Sequence, residues 1–319
     1  TVVLVETMPL SLYDPWVPPF TSGLIPKQTG ISRLGIRLAW EKIVIARKIR
    51  NLFFSMLLCR QDYFSLYKRL FLECGFPFEE KIDWRRPFII GIKESKILSM
   101  NPSSLDFPRK YPPNCQYAPS RVDLNREDPM LNRRYARVME EVCLQKQQRP
   151  DTKIIYCFSS TVMGFEKRSK IIFMKIRDIC LRNPQFVFIL SVGKYHNTSY
   201  LLPCPSNLYV FQQVPQLHLL SYCDLMITSG GMNSIAECIE KEVPMLVCPL
   251  SLKSDQLGNS ARVVYHGLGL RARIKLDSSR TIEKRIVQLF ENYATFKRNL
   301  SMMRTKILAE STAINTEVI

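Results

Sequence analysis

Histidine is nearly absent from this 319-residue chain, with His196, His218 and His266 its only examples. None of the ten cysteines stands in a C-x-x-C pair, so the clustered thiolate and imidazole ligands of a zinc site are missing and no metal is expected. Several cysteines sit inside apolar runs, as small core residues do, which reads as reduced structural thiols. No run of 18 or more apolar residues occurs, which argues against a spanning helix. The first ten residues lack the basic start and small-residue cleavage site of a secretion signal, so a cytoplasmic location is the default expectation. Acidic residues are scarce beside basic ones, 28 against 45, for a formal net charge of +17. Such an excess asks for an anionic partner: nucleic acid, a phosphorylated ligand or an anionic membrane surface. Zinc-finger spacing, an RNP-like aromatic strand and basic-zipper heptads are all missing, which speaks against nucleic acid.

What is present suggests about two domains from length alone. The opening TVVLVETMPL reads as a buried strand of a parallel sheet, and the proline-rich stretch 11–30 as loop. Residues 31–76 are helical in tone, with Arg33, Arg37, Lys42 and Arg47 set against Leu34, Leu38, Trp40 and Ile45. A basic amphipathic helix of this kind suits a membrane interface, although such faces are more often simply solvated. Proline density over 101–119 marks a domain edge. The expected division is a partial N-terminal domain over 1–125, a linker helix over 126–150, a C-terminal domain over 151–280 and a closing helix over 281–319.

The second half alternates cleanly. Short apolar runs at 153–158, 186–190, 208–211, 225–228 and 245–248 are of strand length, with helical stretches between them. That pattern predicts α/β architecture with a doubly wound parallel sheet, in which ligands bind at the carboxyl ends of the strands. Polar turns at 159–164 and 229–234 fall at two such ends. The second, Ser229-Gly230-Gly231-Met232-Asn233-Ser234, runs from strand into helix and leaves free N–H groups at the helix's positive end, which suits a phosphate.

Around that turn the residues PQLHLLSYCDLMITSGGMNSIAECIEKEVPM, followed by Asp255-Gln256 and Asn259-Ser260, are similar to the donor-binding signature of the UDP-glycosyltransferase family, which includes plant natural-product and bacterial macrolide glycosyltransferases. The likeness covers roughly 150–275, where motif agreement over many positions outweighs any single match. It implies the GT-B fold, with two Rossmann-like domains of which the N-terminal one is incomplete here. It also implies roles for matching residues. Pro215 and Gln216, preceded by Gln213 and Val214, fall where the base edge is read. Ser160 sits on the phosphate side of the first turn, and Ser229, Gly230, Gly231, Asn233 and Ser234 meet the diphosphate. Glu237 receives the ribose hydroxyls, and Asp255 and Gln256 hold the transferred sugar.

Taken singly, these residues have plainer readings: a tight turn for Gly230-Gly231, a helix cap for Asp255, a solvated face for Glu237. Three departures from the family pattern stand out. Ser229 replaces a usual histidine, Gln213 replaces a usual tryptophan, and no histidine precedes His196 to serve as the N-terminal base. Asp14, with Glu6, and His196 are the candidate bases. The expectation is an inverting, metal-independent hexosyltransferase that needs no cofactor beyond a UDP- or TDP-sugar co-substrate and acts on a hydrophobic or lipid-like acceptor, with 31–76 as acceptor side and peripheral membrane contact. The alternatives are a nucleotide-sugar-binding protein with impaired catalysis, or a GT-B epimerase.

Overall fold

The computed structural model describes residues 3–86, 91–118, 122–126, 133–158, 166–194 and 197–314. The chain divides into two compact units, Thr1–Pro119 and Ser120–Ile319.

In the first unit, β1 (Val3–Glu6) is followed by α1 (Gly30–Leu57), α2 (Tyr63–Glu73) and the short α3 (Phe78–Lys81). Thr29 caps α1 by accepting from the Ser32 N–H, and Asp62 caps α2 through the N–H groups of Phe64 and Ser65. A small antiparallel pair, β2 (Ile82–Asp83) and β3 (Gly91–Ile92), leads to β4 (Lys96–Ser99) and β5 (Cys115–Tyr117). β1, β4 and β5 form a parallel sheet in the order β1-β4-β5. The buried indole of Trp40 donates to the Val17 carbonyl at 2.9 Å, tying the proline-rich loop to α1. A buried ion pair, Arg86 to Glu6 at 2.8 Å, closes the end of β1.

One expectation for this unit needs correction. The opening strand is only half buried: Val3 and Val5 are 51% and 55% exposed, because β1 is an edge strand and alternate side chains point away from the core. α1 buries only Ile36, Trp40 and Arg47, and leaves Leu34, Leu38, Ile45 and Ile49 in water. Nevertheless no helix among the described residues is long and apolar enough to cross a membrane.

The second unit opens with α4 (Arg133–Gln148), whose Tyr135, Val138, Met139 and Val142 are buried. The helix within the stretch expected as a linker helix thus contributes to this unit's core. β6 (Lys153–Phe158), α5 (Glu166–Arg182), β7 (Phe186–Ser191) and β8 (Leu208–Phe211) follow, then α6 (Gln216–Leu220), β9 (Leu225–Thr228), α7 (Met232–Glu240), β10 (Met245–Val247), α8 (Gln256–Tyr265) and β11 (Gly269–Arg271). The six strands are parallel in the order β11-β10-β9-β6-β7-β8. The chain winds one way from β6 and the other way from β9, so the switch point of the sheet lies between these two strands. β7 and β9 are buried at every position, as strands covered by helices on both faces must be.

Where one closing helix was expected there are two, α9 (Ser279–Glu291) and α10 (Tyr293–Ile314). Asn292 ends the first, donating its N–H to Gln288, and its carbonyl accepts from Thr295 and Phe296 to start the second. All ten cysteines are unpaired; Cys157, Cys180, Cys223, Cys238 and Cys248 are buried, whereas Cys59, Cys74 and Cys204 are exposed.

Candidate functional site

The second unit gathers polar side chains at the carboxyl end of β9. Gly230 takes φ +88°, a left-handed turn that strains any other residue, and a Cβ there would lie 2.7 Å from Val247 Cγ1. Only glycine lets the chain leave β9 so close to β10. The turn is braced from two sides. Thr228 Oγ1 accepts from the Gly230 N–H at 3.2 Å, and Asn259 Nδ2 donates to the Gly230 carbonyl at 2.9 Å.

Gly231 then stands at the N-cap of α7, with no side chain capping the helix and no atom within 4 Å of where its Cβ would be. The first N–H groups of this nine-residue helix thus have no side-chain cap among the described residues at its positive end. Asn233 is exposed beside them, while Ser229 and Ser234 are buried.

One turn further along α7, Glu237 is 5% exposed and its carboxylate is held on both oxygens. Gln216 Nε2 donates to Oε2 at 2.7 Å, and Arg126 NH1 lies 3.0 Å from Oε1. The amide of Gln216 is itself oriented. Tyr156 OH donates to its Oε1 at 3.0 Å, which leaves Nε2 as the group that faces Glu237 and, at 3.4 Å, Ser234 Oγ. Burial raises the Tyr156 phenol far above its ordinary range, so it remains a donor. Strand β6, helices α6 and α7 and the segment before α4 thereby assemble one connected network, Tyr156–Gln216–Glu237–Arg126.

On the other side of the turn, Gln256 is buried and its Oε1 accepts from the N–H groups of Leu250 and Ser251, both at 2.8 Å, fixing the loop after β10. Asp255 stands at the N-cap of α8 but does not cap it; its Oδ2 takes the Asn259 amide at 2.9 Å. Burial pushes the Asp255 carboxyl above its ordinary range, partly offset by that hydrogen bond. Asn259 Oδ1 is buried with no hydrogen-bond partner among the described residues.

Of the expected donor residues, Gln216, Ser229, Gly230, Gly231, Asn233, Ser234, Glu237, Asp255 and Gln256 lie at this turn or on the elements that brace it. Gln213 is exposed at the end of β8 and Val214 is buried just beyond it. Ser160 and His196 lie outside the described residues. Asp14 belongs to the first unit, where its Oδ1 accepts from the N–H groups of Trp16 and Val17 at 2.7 and 3.2 Å, closing a turn. Its companion Glu6 is engaged by Arg86 and by Ser11. Sequence reasoning missed Arg126, Tyr156 and the bracing role of Asn259. Asn259 stood in the quoted signature without a role, whereas nothing local marks Arg126. Among the described residues no cluster of three or more His, Cys, Asp or Glu could hold a metal ion.

Residues 197–309 match the family model described as UDP-glucoronosyl and UDP-glucosyl transferase. NDP-glycosyltransferase YjiC of Bacillus subtilis (strain 168) is 37% identical over 98 residues, covering 31% of this chain and 24% of that protein. The zeaxanthin glucosyltransferase of Pantoea ananas is 34% identical over 101 residues, covering 31% and 22%. The chain therefore matches less than two thirds of these relatives' own lengths. Among solved structures, the calicheamicin glycosyltransferase CalG4 aligns with a TM-score of 0.56 at 17% identity, over 77% of this chain and 55% of that one. Spinosyn rhamnosyltransferase SpnG complexed with thymidine diphosphate aligns at 0.54 and 19%, over 74% and 61%. These likenesses show the GT-B fold.

Proposed function

We propose, from the match of residues 197–309 to the UDP-glucoronosyl and UDP-glucosyl transferase model, that this chain binds a UDP- or TDP-sugar in its second unit and passes the sugar to an acceptor hydroxyl with inversion. The observation that carries the reading is the uncapped start of α7, with Glu237 one turn further along the same helix. The helix N–H groups and dipole suit a diphosphate, and a carboxylate at that distance suits the vicinal hydroxyls of a ribose. Arg126 also engages the Glu237 carboxylate, so a ribose bound there would compete with it.

Inversion follows from a single in-line displacement. The acceptor oxygen bonds to the anomeric carbon as the bond to the diphosphate oxygen breaks. The departing diphosphate keeps the electron pair, and the α7 N–H groups with Ser229, Asn233 and Ser234 stabilise it in place of a metal ion. The acceptor proton goes to a base, for which Asp14 and His196 are the candidates. A hydrophobic acceptor is in keeping with the zeaxanthin glucosyltransferase among the relatives and with the apolar residues α1 leaves in water, which suit an acceptor delivered from a membrane surface.

Calorimetric titration with UDP and TDP tests the donor site, and saturable binding of at least one is expected. Binding of neither overturns the reading. Turnover of UDP-glucose with a hydroxylated aromatic acceptor, read by proton NMR of the anomeric centre, should yield the inverted glycoside; a retained centre refutes the displacement. Thermal stabilisation by UDP-glucose without UDP release instead favours a binding protein, and free sugar from donor alone favours an epimerase.

A further inference from the structure

The first unit contains a cleft of about 720 Å³ between α1 and α2, a volume suited to a small organic ligand. Lys48 on α1, Arg60 in the connecting turn and Arg69 on α2 line it, and none is ion-paired among the described residues. Of the two acids in the lining, Glu79 is bridged to Lys68 and Glu73 stands near the end of α2, so the cleft keeps an excess of positive charge. Its apolar wall is formed by Leu52 and Leu72, both exposed, and by Phe64 and Trp84, whose rings are 5.3 Å apart. Side chains of this kind in contact with water are unusual outside binding surfaces when they adjoin one another.

The turn that presents Arg60 is strained. Cys59 and Arg60 both take left-handed φ values, 45° and 62°, although neither is glycine. Such strain persists only where surrounding structure enforces it, and it gathers at functional sites. Here the enforcing contacts are the Arg60 N–H to the Ser55 carbonyl at 2.7 Å and the Ser65 hydroxyl to Ser55 Oγ at 3.4 Å. Ser55 and Ser65 themselves line the cleft.

We propose that this cleft binds an anionic amphiphile, with its acyl or aryl chain along Leu52, Leu72, Phe64 and Trp84 and its carboxylate or phosphate head held by Lys48, Arg60 and Arg69. The proposal does not depend on glycosyl transfer, since its test requires no turnover. Attraction by unpaired cations at the mouth of an apolar cleft selects for charge sign as well as for chain, which a merely greasy surface does not.

Calorimetry with decyl phosphate below its micelle concentration should show one saturable site per chain, and decyltrimethylammonium of the same chain length should bind at least tenfold more weakly. The double variant K48E/R69E alters exposed side chains only, so it should keep the parent melting temperature and UDP affinity while losing decyl phosphate affinity by tenfold or more. Leu72→Asn should weaken both amphiphiles alike. Equal binding of the two amphiphiles, or unchanged affinity in K48E/R69E, overturns the proposal. So does binding to phosphatidylglycerol vesicles without any binding of monomeric decyl phosphate, which would assign the charge to a lipid surface instead.

Discussion

The six-stranded sheet of the second unit and the three-stranded sheet of the first are both parallel, yet they treat their side chains in opposite ways. Every residue of β7 and β9 is buried, while β1 alternates exposed and covered positions and α1 leaves much of its apolar surface in water. The polar groups differ in the same sense. In the second unit the side chains around the glycine turn hold one another in a network open at one end, the start of α7. In the first, Glu6 at the end of β1 is consumed by Arg86 and Ser11, and Asp14 in the loop that follows by the turn at Trp16. A site ready for a ligand is one whose partners leave something unsatisfied, and by that measure the turn after β9 is prepared and the β1 end is not.

The contrast can be broken most directly through the cores. Ile189→Ala in β7 should cost about 2–5 kcal/mol, whereas Val5→Ala in β1 should stay within about 0.5 kcal/mol; urea denaturation measures both. A comparable loss at Val5 would mean that its face is covered in solution. Next in size, Glu237→Ala removes the proposed acceptor for the ribose and should weaken UDP by roughly tenfold to a hundredfold, as loss of a charge-assisted hydrogen bond predicts. Arg126→Ala should tighten UDP severalfold, because it removes the competitor for the same carboxylate; titration of the two variants in parallel gives opposite signs, and weaker binding in both would show that Arg126 contacts the nucleotide instead.

Gly230→Ala should lower stability by about 1–3 kcal/mol, since it combines a strained φ with a close approach to Val247. A melting temperature equal to the parent's would show that the turn has room to move. The smallest effect concerns pH. Asp255 has its folded-state pKa raised, so the folded protein holds that proton more tightly than the unfolded chain does. Its contribution is present at acid pH and is lost as pH rises through the raised value. Asp255→Asn should therefore flatten the fall in melting temperature above the ordinary carboxylate range, and identical profiles would remove Asp255 as its source.

Much of the second unit was legible because strands covered on both faces read as apolar runs, and because the glycine turn and Glu237 follow one another at helical spacing. Arg126 was not legible: its importance arises from a contact with a residue far along the chain, and no periodicity encodes it. The break at Asn292 was hidden because apolar spacing continues through it from Ile286 and Leu289 to Leu300 and Met303. The half-buried state of β1 was misread for a related reason, since an apolar run records what a strand tolerates on each face and not what lies against it. Gln216 was assigned to the base edge, whereas the fold also uses it to aim Glu237.

The cysteines offer a practical consequence. Burial raises the thiols of Cys157, Cys180, Cys223, Cys238 and Cys248 above their ordinary range, to about 12 for Cys248, so they stay protonated and out of reach of electrophiles. Cys59, in the turn between α1 and α2, and Cys74, at the C-cap of α2, are exposed. A maleimide dye applied to the native protein should mark the exposed thiols Cys59, Cys74 and Cys204 before the buried ones, giving optical reporters, two of them in the first unit, without any engineered handle.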